Sequence, residues 1–260
     1  MTRNADLAGM QEFYKGHAAL VTSPFITVAG GVRTADLNRF LRSLGMIQIR
    51  GPVLDLGCGS GLLSRYFHPM DVSYVGLDIN NHPGFQKARG RGNQFVQGDA
   101  LRLPFKTRTF GTVVCVDSFE HYPDPIRAAM EIRRVLDVGG RVFLSVPNYA
   151  NMAGVVKKHM ETHGPYRRDA WAPFDFWKRQ EREHFVTPEW IRGVFLNAGF
   201  LKFRMVGIDN ELCYGLLPWL WHPACPHRIE RGVRMAFSLF DQTVVRKYPR
   251  LSLHTLWCIS

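Results

Sequence analysis

No apolar run in the chain approaches the roughly 20 residues that span a bilayer; glycine, proline or a charged side chain breaks every one. The first residues carry neither an apolar segment nor a small-residue cleavage site of the kind an export signal needs. Cysteine is scarce and odd in number. The five residues Cys58, Cys115, Cys213, Cys225 and Cys258 are scattered and contain no C-x-x-C pair, which argues against a disulfide framework and against a zinc ribbon. These absences point to a cytoplasmic protein that at most touches a membrane surface. Internal repeats and low-complexity linkers are missing too. Acidic residues are in deficit, 22 against 33 lysines and arginines, giving a formal net charge of +11. The basic residues are dispersed, which favours anionic partners without naming one.

What remains is a chain of 260 residues, 46% hydrophobic and 12% aromatic, with ample material for one core. The texture divides it into a helical cap at 1–50, an α/β core at 51–148, an aromatic and basic lid at 149–186, and a completing segment at 187–260. Strand-like runs at 52–56, 72–77, 93–96, 112–116 and 141–146 alternate with helical stretches, the rhythm of a parallel sheet. The lid shows no clean period. Then Thr187-Pro188-Glu189 announces a helix by N-cap, proline at the first helical position and an acid in the first turn, and Gly199 ends it. Strands are expected at 200–206 and 251–259, which makes 207–250 an insertion between them. Within it, 212–221 is the most apolar stretch outside the strands, and 233–245 reads as a partly amphipathic helix.

The chemistry is concentrated in Val53-Leu54-Asp55-Leu56-Gly57-Cys58-Gly59-Ser60-Gly61, a strand that runs into three alternate glycines and then a helical register. A strand, a glycine loop and a helix build a nucleotide-cofactor crevice at the carboxyl edge of a parallel sheet. Glycine lets the backbone turn tightly and lets a ligand lie against it. Twenty-three residues after Asp55 the next strand ends in Asp78, placed to accept hydrogen bonds from ribose hydroxyls. The third glycine falls two residues after the second, whereas dinucleotide loops space them by three. Asp55 at the loop's mouth would repel a pyrophosphate and attract an ammonium group, so a cofactor with a cationic amino-acid end is preferred.

With these motifs the chain resembles the class I S-adenosylmethionine-dependent methyltransferases, and within them the type 11 small-molecule group that includes the ubiquinone and menaquinone biosynthesis enzymes. The matching stretches come in order over 51–200: VLDLGCGSG, GLDIN at 76–80, Gly98-Asp99-Ala100, DSFEHYPDP at 117–125, LDVGGRVFLSVP at 136–147 and HFVTPEWIRGVFLNAGF at 184–200. The resemblance implies a Rossmann-like, seven-stranded, mostly parallel sheet with one antiparallel strand, the segment at 251–259. It implies S-adenosylmethionine as cofactor, with S-adenosylhomocysteine as product. Gly57, Cys58, Gly59 and Gly61 would cradle the methionine portion, with Asp55 near its amino group. Asp78 and Ile79 would take the ribose, and Asp99, Ala100 and Leu101 the adenine. Asp117 and Ser118 would complete the cofactor set, and Tyr14 in the cap either closes over it or packs in the core.

Methyl transfer from a sulfonium is an in-line displacement that needs position first and a base only where the nucleophile carries a proton. Asp117, Ser118, Glu120 and His121 cluster after the fourth core strand, and His121, with Asp117 beside it, is the candidate general base; the plainer reading of His121 is a turn cap. His184 reads as a structural histidine. Tyr166-Arg167-Arg168 reads as a solvated face that could also meet an acidic substrate. The resemblance and His121 favour a small-molecule acceptor methylated at oxygen, apolar, quinone-like, lipid-linked or anionic. A binding protein without transferase activity is the alternative reading. Base-amine methyltransferases carry an N-P-P-Y-type tetrapeptide where this chain has Asp117-Ser118-Phe119-Glu120, and cytosine enzymes need a Pro-Cys pair there; both departures argue against a nucleic-acid substrate. His159 and His163 have metal-ligand spacing, but Met160 stands where a zinc protease needs glutamate, and no metal is expected. The stretch 212–245 offers a peripheral membrane contact, an acceptor slot or a homodimer face.

Overall fold

The structure, a computed structural model, describes residues 11–12, 49–61, 63–67, 70–81, 93–163, 183–209, 211–221 and 225–260. Seven strands form one sheet. In chain order these are β1 (Val53–Leu56), β2 (Tyr74–Asp78), β3 (Gln94–Gln97), β4 (Phe110–Val116), β5 (Leu136–Pro147), β6 (Phe203–Gly207) and β7 (His254–Ile259). Their spatial order is β3-β2-β1-β4-β5-β7-β6. Pairing is parallel from β3 through β5, and β7 enters antiparallel between β5 and β6. The chain therefore forms an α/β domain with one reversed strand.

Alternation along the central strands supplies both faces of the sheet. Leu54, Leu56, Val113, Cys115, Val142 and Leu144 point to one face and meet two helices, α2 (Pro125–Val135) and α4 (Pro188–Asn197). Val53, Tyr74, Val114, Phe143 and Leu256 point to the other and meet Leu63 and Phe67 around the short α1 (Ser64–Phe67). Strands buried on both faces need helices on both, which explains the near-continuous apolar runs. The covering helices are fixed at their starts: Asp124 accepts from Arg127 N at 2.9 Å ahead of Pro125. Thr187 accepts from Trp190 N at 3.3 Å ahead of Pro188, and Gly199 takes φ +85° past the helix end.

Three expectations need correction. The strand expected at 141–146 starts at Leu136, where Phe110 already pairs with it. The segment beginning the lid is not aperiodic: α3 (Met152–His163) occupies it, started by Asn151, whose side chain accepts from Gly154 N at 3.1 Å. The amphipathic helix expected at 233–245 is two helices, α6 (His227–Ser238) and α7 (Asp241–Lys247). Asp241 is buried there and accepts from Leu212 N at 2.9 Å at the start of α5 (Leu212–Leu216), so the chain turns to reach it. Between β6 and β7, Leu212, Cys213 and Leu220 are buried, whereas Trp219 is exposed. The cap apart from Gln11, Glu12, Ile49 and Arg50, Tyr14 included, lies outside the described residues, as do Tyr166, Arg167 and Arg168 of the lid.

Candidate active site

The chain order reverses between β1 and β4, and the crevice of an open α/β sheet lies at such a switch point. The loop after β1 supplies one wall. Gly57, Gly59 and Gly61 have φ of +74°, +52° and +76°, a region that side chains strain to enter. Their surroundings differ. A Cβ on Gly57 would meet Ser118 Oγ at 2.2 Å, and one on Gly61 would meet the Phe95 ring at 2.3 Å, whereas one on Gly59 would meet nothing within 4 Å. The outer two glycines thus close the loop onto the protein, and the middle one faces open space.

Asp78 joins this loop to β2. Its Oδ2 accepts from Gly59 N at 2.8 Å and its Oδ1 from Asn80 N at 2.9 Å. A carboxylate offers about four acceptor positions, the chemistry that hydroxyl donors require. Asn80 is buried, and its Nδ2 has no acceptor among the described residues, a donor that a ligand could use. The adjacent turn is built by Asp99, which accepts from Leu101 N at 2.8 Å, and is tied to β2 by Gly98 N donating to Asp78 O at 2.8 Å. Ala100 and Leu101 are half-buried beside it. Gln11 donates to Ile79 O at 3.2 Å, which brings the N-terminal segment to the same edge.

Asp55 departs from its expected place at the loop's mouth. Its carboxyl is buried and accepts from Tyr74 Oη at 2.5 Å. Burial pushes it up to about 7, against the lowering influence of the Tyr74 hydrogen bond, with the nearby Asp78 charge adding to the rise. Geometrically it supports the loop from beneath. Cys58 is held as a neutral thiol by burial and by Asp55 and Asp78, and burial pushes Cys115 up to about 12.

The other wall follows β4. Asp117 adopts φ +46° and accepts from Ser145 Oγ at 2.6 Å. Ser118 bridges to Leu56 O at 3.1 Å and to Tyr122 Oη at 2.9 Å, so this turn is bonded to the end of β1. Glu120 is buried; desolvation, then the charge of Asp117, raises its carboxyl well above the usual range. His121 Nε2 lies 3.8 Å from Glu120 Oε1. The following helix is capped by Asp124. His184 is structural: its Nε2 pairs with Tyr122 O at 2.8 Å and its ring stacks on Trp190.

Sequence reasoning missed a second layer of charge. Lys157 and Glu183 are buried together at 2.7 Å, with Tyr149 bonded to Glu183 and its ring 4.8 Å from the lysine nitrogen. His254 Nδ1 pairs with Glu211 Oε1 at 2.9 Å; burial opposes the imidazolium, but Glu211 overrides it and lifts His254 to about 9. A lysine four residues from Ala153 on the buried side of α3 was the available signal for the first pair. Glu211 and His254 meet only because β7 inserts beside β5. His159 is exposed, and no cluster of three or more metal-ligating side chains occurs among the described residues.

The model of the methyltransferase domain family matches residues 54–144, the stretch that holds both walls. Over these residues the chain is similar to methyltransferase domains. Among its relatives, a phthiotriol/phenolphthiotriol dimycocerosates methyltransferase of Mycobacterium leprae is 33% identical over 46% of this chain and 47% of its own length. A fatty-acid O-methyltransferase of Mycolicibacterium smegmatis is 42% identical over 34% of each chain. A ubiquinone biosynthesis O-methyltransferase of Aliivibrio fischeri is 32% identical over 37% of this chain and 44% of its own. The chain thus spans less than half the length of these curated relatives. The methyltransferase fold is also that of a Haemonchus contortus phosphoethanolamine N-methyltransferase solved with S-adenosyl-L-methionine, with TM-score 0.56 and 16% identity over 94% of this chain and 54% of that one. A Mesorhizobium loti S-adenosylmethionine-dependent methyltransferase aligns with TM-score 0.51 and 17% identity over 84% and 95%. The open cradle at Gly59, the Asp78 carboxylate beside it and the orphaned Asn80 amide suit the methyltransferase domain's cofactor.

Proposed function

We propose that the protein transfers a methyl group from S-adenosylmethionine to an oxygen of a small apolar or anionic acceptor, quinone-like or lipid-linked. The observation that carries this reading is the adjacency, across one switch point, of the open glycine cradle and the acid–imidazole cluster of Asp117, Glu120 and His121. The names of three relatives, which speak of a fatty acid, ubiquinone biosynthesis and phthiotriol dimycocerosates, favour an acceptor of that class.

When bound, the cofactor supplies an electrophilic methyl group on a cationic sulfur, so the chain must provide position and a destination for one proton. Gly59 leaves room for the amino-acid portion, Asp78 and Asn80 would hold the ribose hydroxyls, and the Asp99 turn would border the base. Ser118 locks the β4 turn to the β1 end and so fixes the distance between the walls. His121 accepts the acceptor's hydroxyl proton, and the negative charge of Asp117 steadies the imidazolium that results. Neither Cys58 nor Cys115 is a competing nucleophile, since both thiols stay protonated.

The test is turnover with labelled cofactor and matched hydroxyl, amine and carbon acceptors on a common apolar frame. Methylation of the hydroxyl compound is expected, with His121→Ala lowering kcat by about a hundredfold while S-adenosylhomocysteine binding, measured by calorimetry, stays unchanged. Turnover of the amine alone would remove oxygen as the target. Cofactor binding with no turnover on any acceptor would favour a binding protein.

A further inference from the structure

α6 contains no buried residue. Glu230 is bonded to Tyr214 Oη at 2.5 Å and to Arg234 at 3.1 Å, which defines the side of the helix turned to the protein. The opposite side follows from helical spacing: Ile229, Gly232, Ala236 and Leu239 recur at three- and four-residue steps, with Met235 beside them. Ile229 is 55% exposed, Met235 70% and Leu239 88%, so the apolar stripe faces away from the body of the molecule. A 12-residue helix is marginal in water without a packed apolar face, and here that face has no cover among the described residues.

The charges around the stripe have one sign. Arg228 and Arg231 flank it, and Arg246 and Lys247 follow on the exposed side of α7. The two acids of the segment, Glu230 and Asp241, are both withdrawn, one to Tyr214 and one into the buried start of α5. Trp219 and Tyr248, 55% and 53% exposed, add rings with a polar tip, a kind that favours the boundary of lipid and water.

We infer that the α6–α7 face docks on the surface of an anionic bilayer, with Ile229, Met235 and Leu239 entering the acyl boundary and the arginines lying among the headgroups. Exposed apolar residues beside unopposed cations match a negatively charged, apolar-backed surface. A second copy would bring its own arginines to the same positive face and is disfavoured by charge, and a nucleic acid would leave the apolar stripe in water. Docking does not depend on which acceptor the crevice takes.

The experiment is co-sedimentation of the full chain with vesicles of phosphatidylcholine alone and of phosphatidylcholine mixed with phosphatidylglycerol. Binding to the mixed vesicles only, weakened by salt, is expected, with both Met235→Glu/Leu239→Glu and Arg228→Glu/Arg231→Glu reducing it at least tenfold. All four positions are exposed, so unchanged circular dichroism and thermal midpoint are expected to accompany the loss. Absence of sedimentation, equal binding by the glutamate variants, or a dimer in light scattering that Leu239→Glu breaks while no vesicle is bound would overturn the assignment.

Discussion

Gly59 and Gly61 lie in one loop with similar backbone angles, yet the structure gives them different duties, and alanine at each separates the two. At Gly61 a methyl group would strike the Phe95 ring, so Gly61→Ala lowers the thermal midpoint of the protein before any cofactor is added. At Gly59 there is space, and alanine costs only the left-handed strain, about 1 to 2 kcal/mol. The new methyl instead occupies the volume proposed for the cofactor, so Gly59→Ala retains the fold and weakens S-adenosylhomocysteine binding, read by calorimetry. Asp78 combines the two duties. Asp78→Ala removes the charged acceptors proposed for the ribose, an expected loss of about 1 to 3 kcal/mol in calorimetric affinity. It also frees Gly59 N and Asn80 N, so its thermal midpoint falls too, which a residue touching ligand alone would not show.

At the scale of elements, the helix with the fullest punctuation in the sequence is also the one whose stability is most directly tested. Thr187→Ala removes the acceptor for Trp190 N and is expected to cost about 1 kcal/mol in urea unfolding, without altering cofactor binding, because α4 packs on the side of the sheet away from the β1 loop. That helix and the seven strands were legible because caps, glycines and apolar runs are local signals. α3 was not, because its start depends on Asn151 and its buried side carries Lys157, which resembles a solvated face until Glu183 is placed against it. The break between α6 and α7 was hidden for a related reason: Asp241 turns inward to cap α5, a partner that sequence does not announce. In the site, the glycine loop, Asp78 and the Asp117 to His121 turn could be read directly, since each follows its own strand. Glu211 and His254 could not, since only the antiparallel insertion of β7 brings them together.

The molecule as a whole stores protons, and this fixes the direction in which pH acts on its stability. Asp55 is raised to about 7 and Glu120 well above the carboxylate range, both by burial first, and His254 is raised to about 9 as Glu211 outweighs burial. Each group therefore binds its proton more tightly folded than unfolded. Stability must fall with rising pH wherever the folded state holds the extra protons. For the raised carboxyls the fall begins as pH rises above their ordinary value, and for Asp55 it is complete near 7. For His254 the stabilisation is whole below its ordinary 6.5 and is lost as pH rises through about 9. The contributions share a sign, so urea midpoints of the cofactor-free protein are expected to decline steadily from about pH 5 to about pH 9. Two variants divide that decline. Asp55→Asn keeps an acceptor for Tyr74 but has no proton to lose, and flattens the acid half of the curve. His254→Gln removes the imidazolium and flattens the alkaline half, with a lower midpoint at neutral pH because Glu211 is left without its cation. A midpoint that rose with pH in the unmodified protein would show that the carboxyls are ionised in the folded state, and that the crevice carries more negative charge than its burial allows.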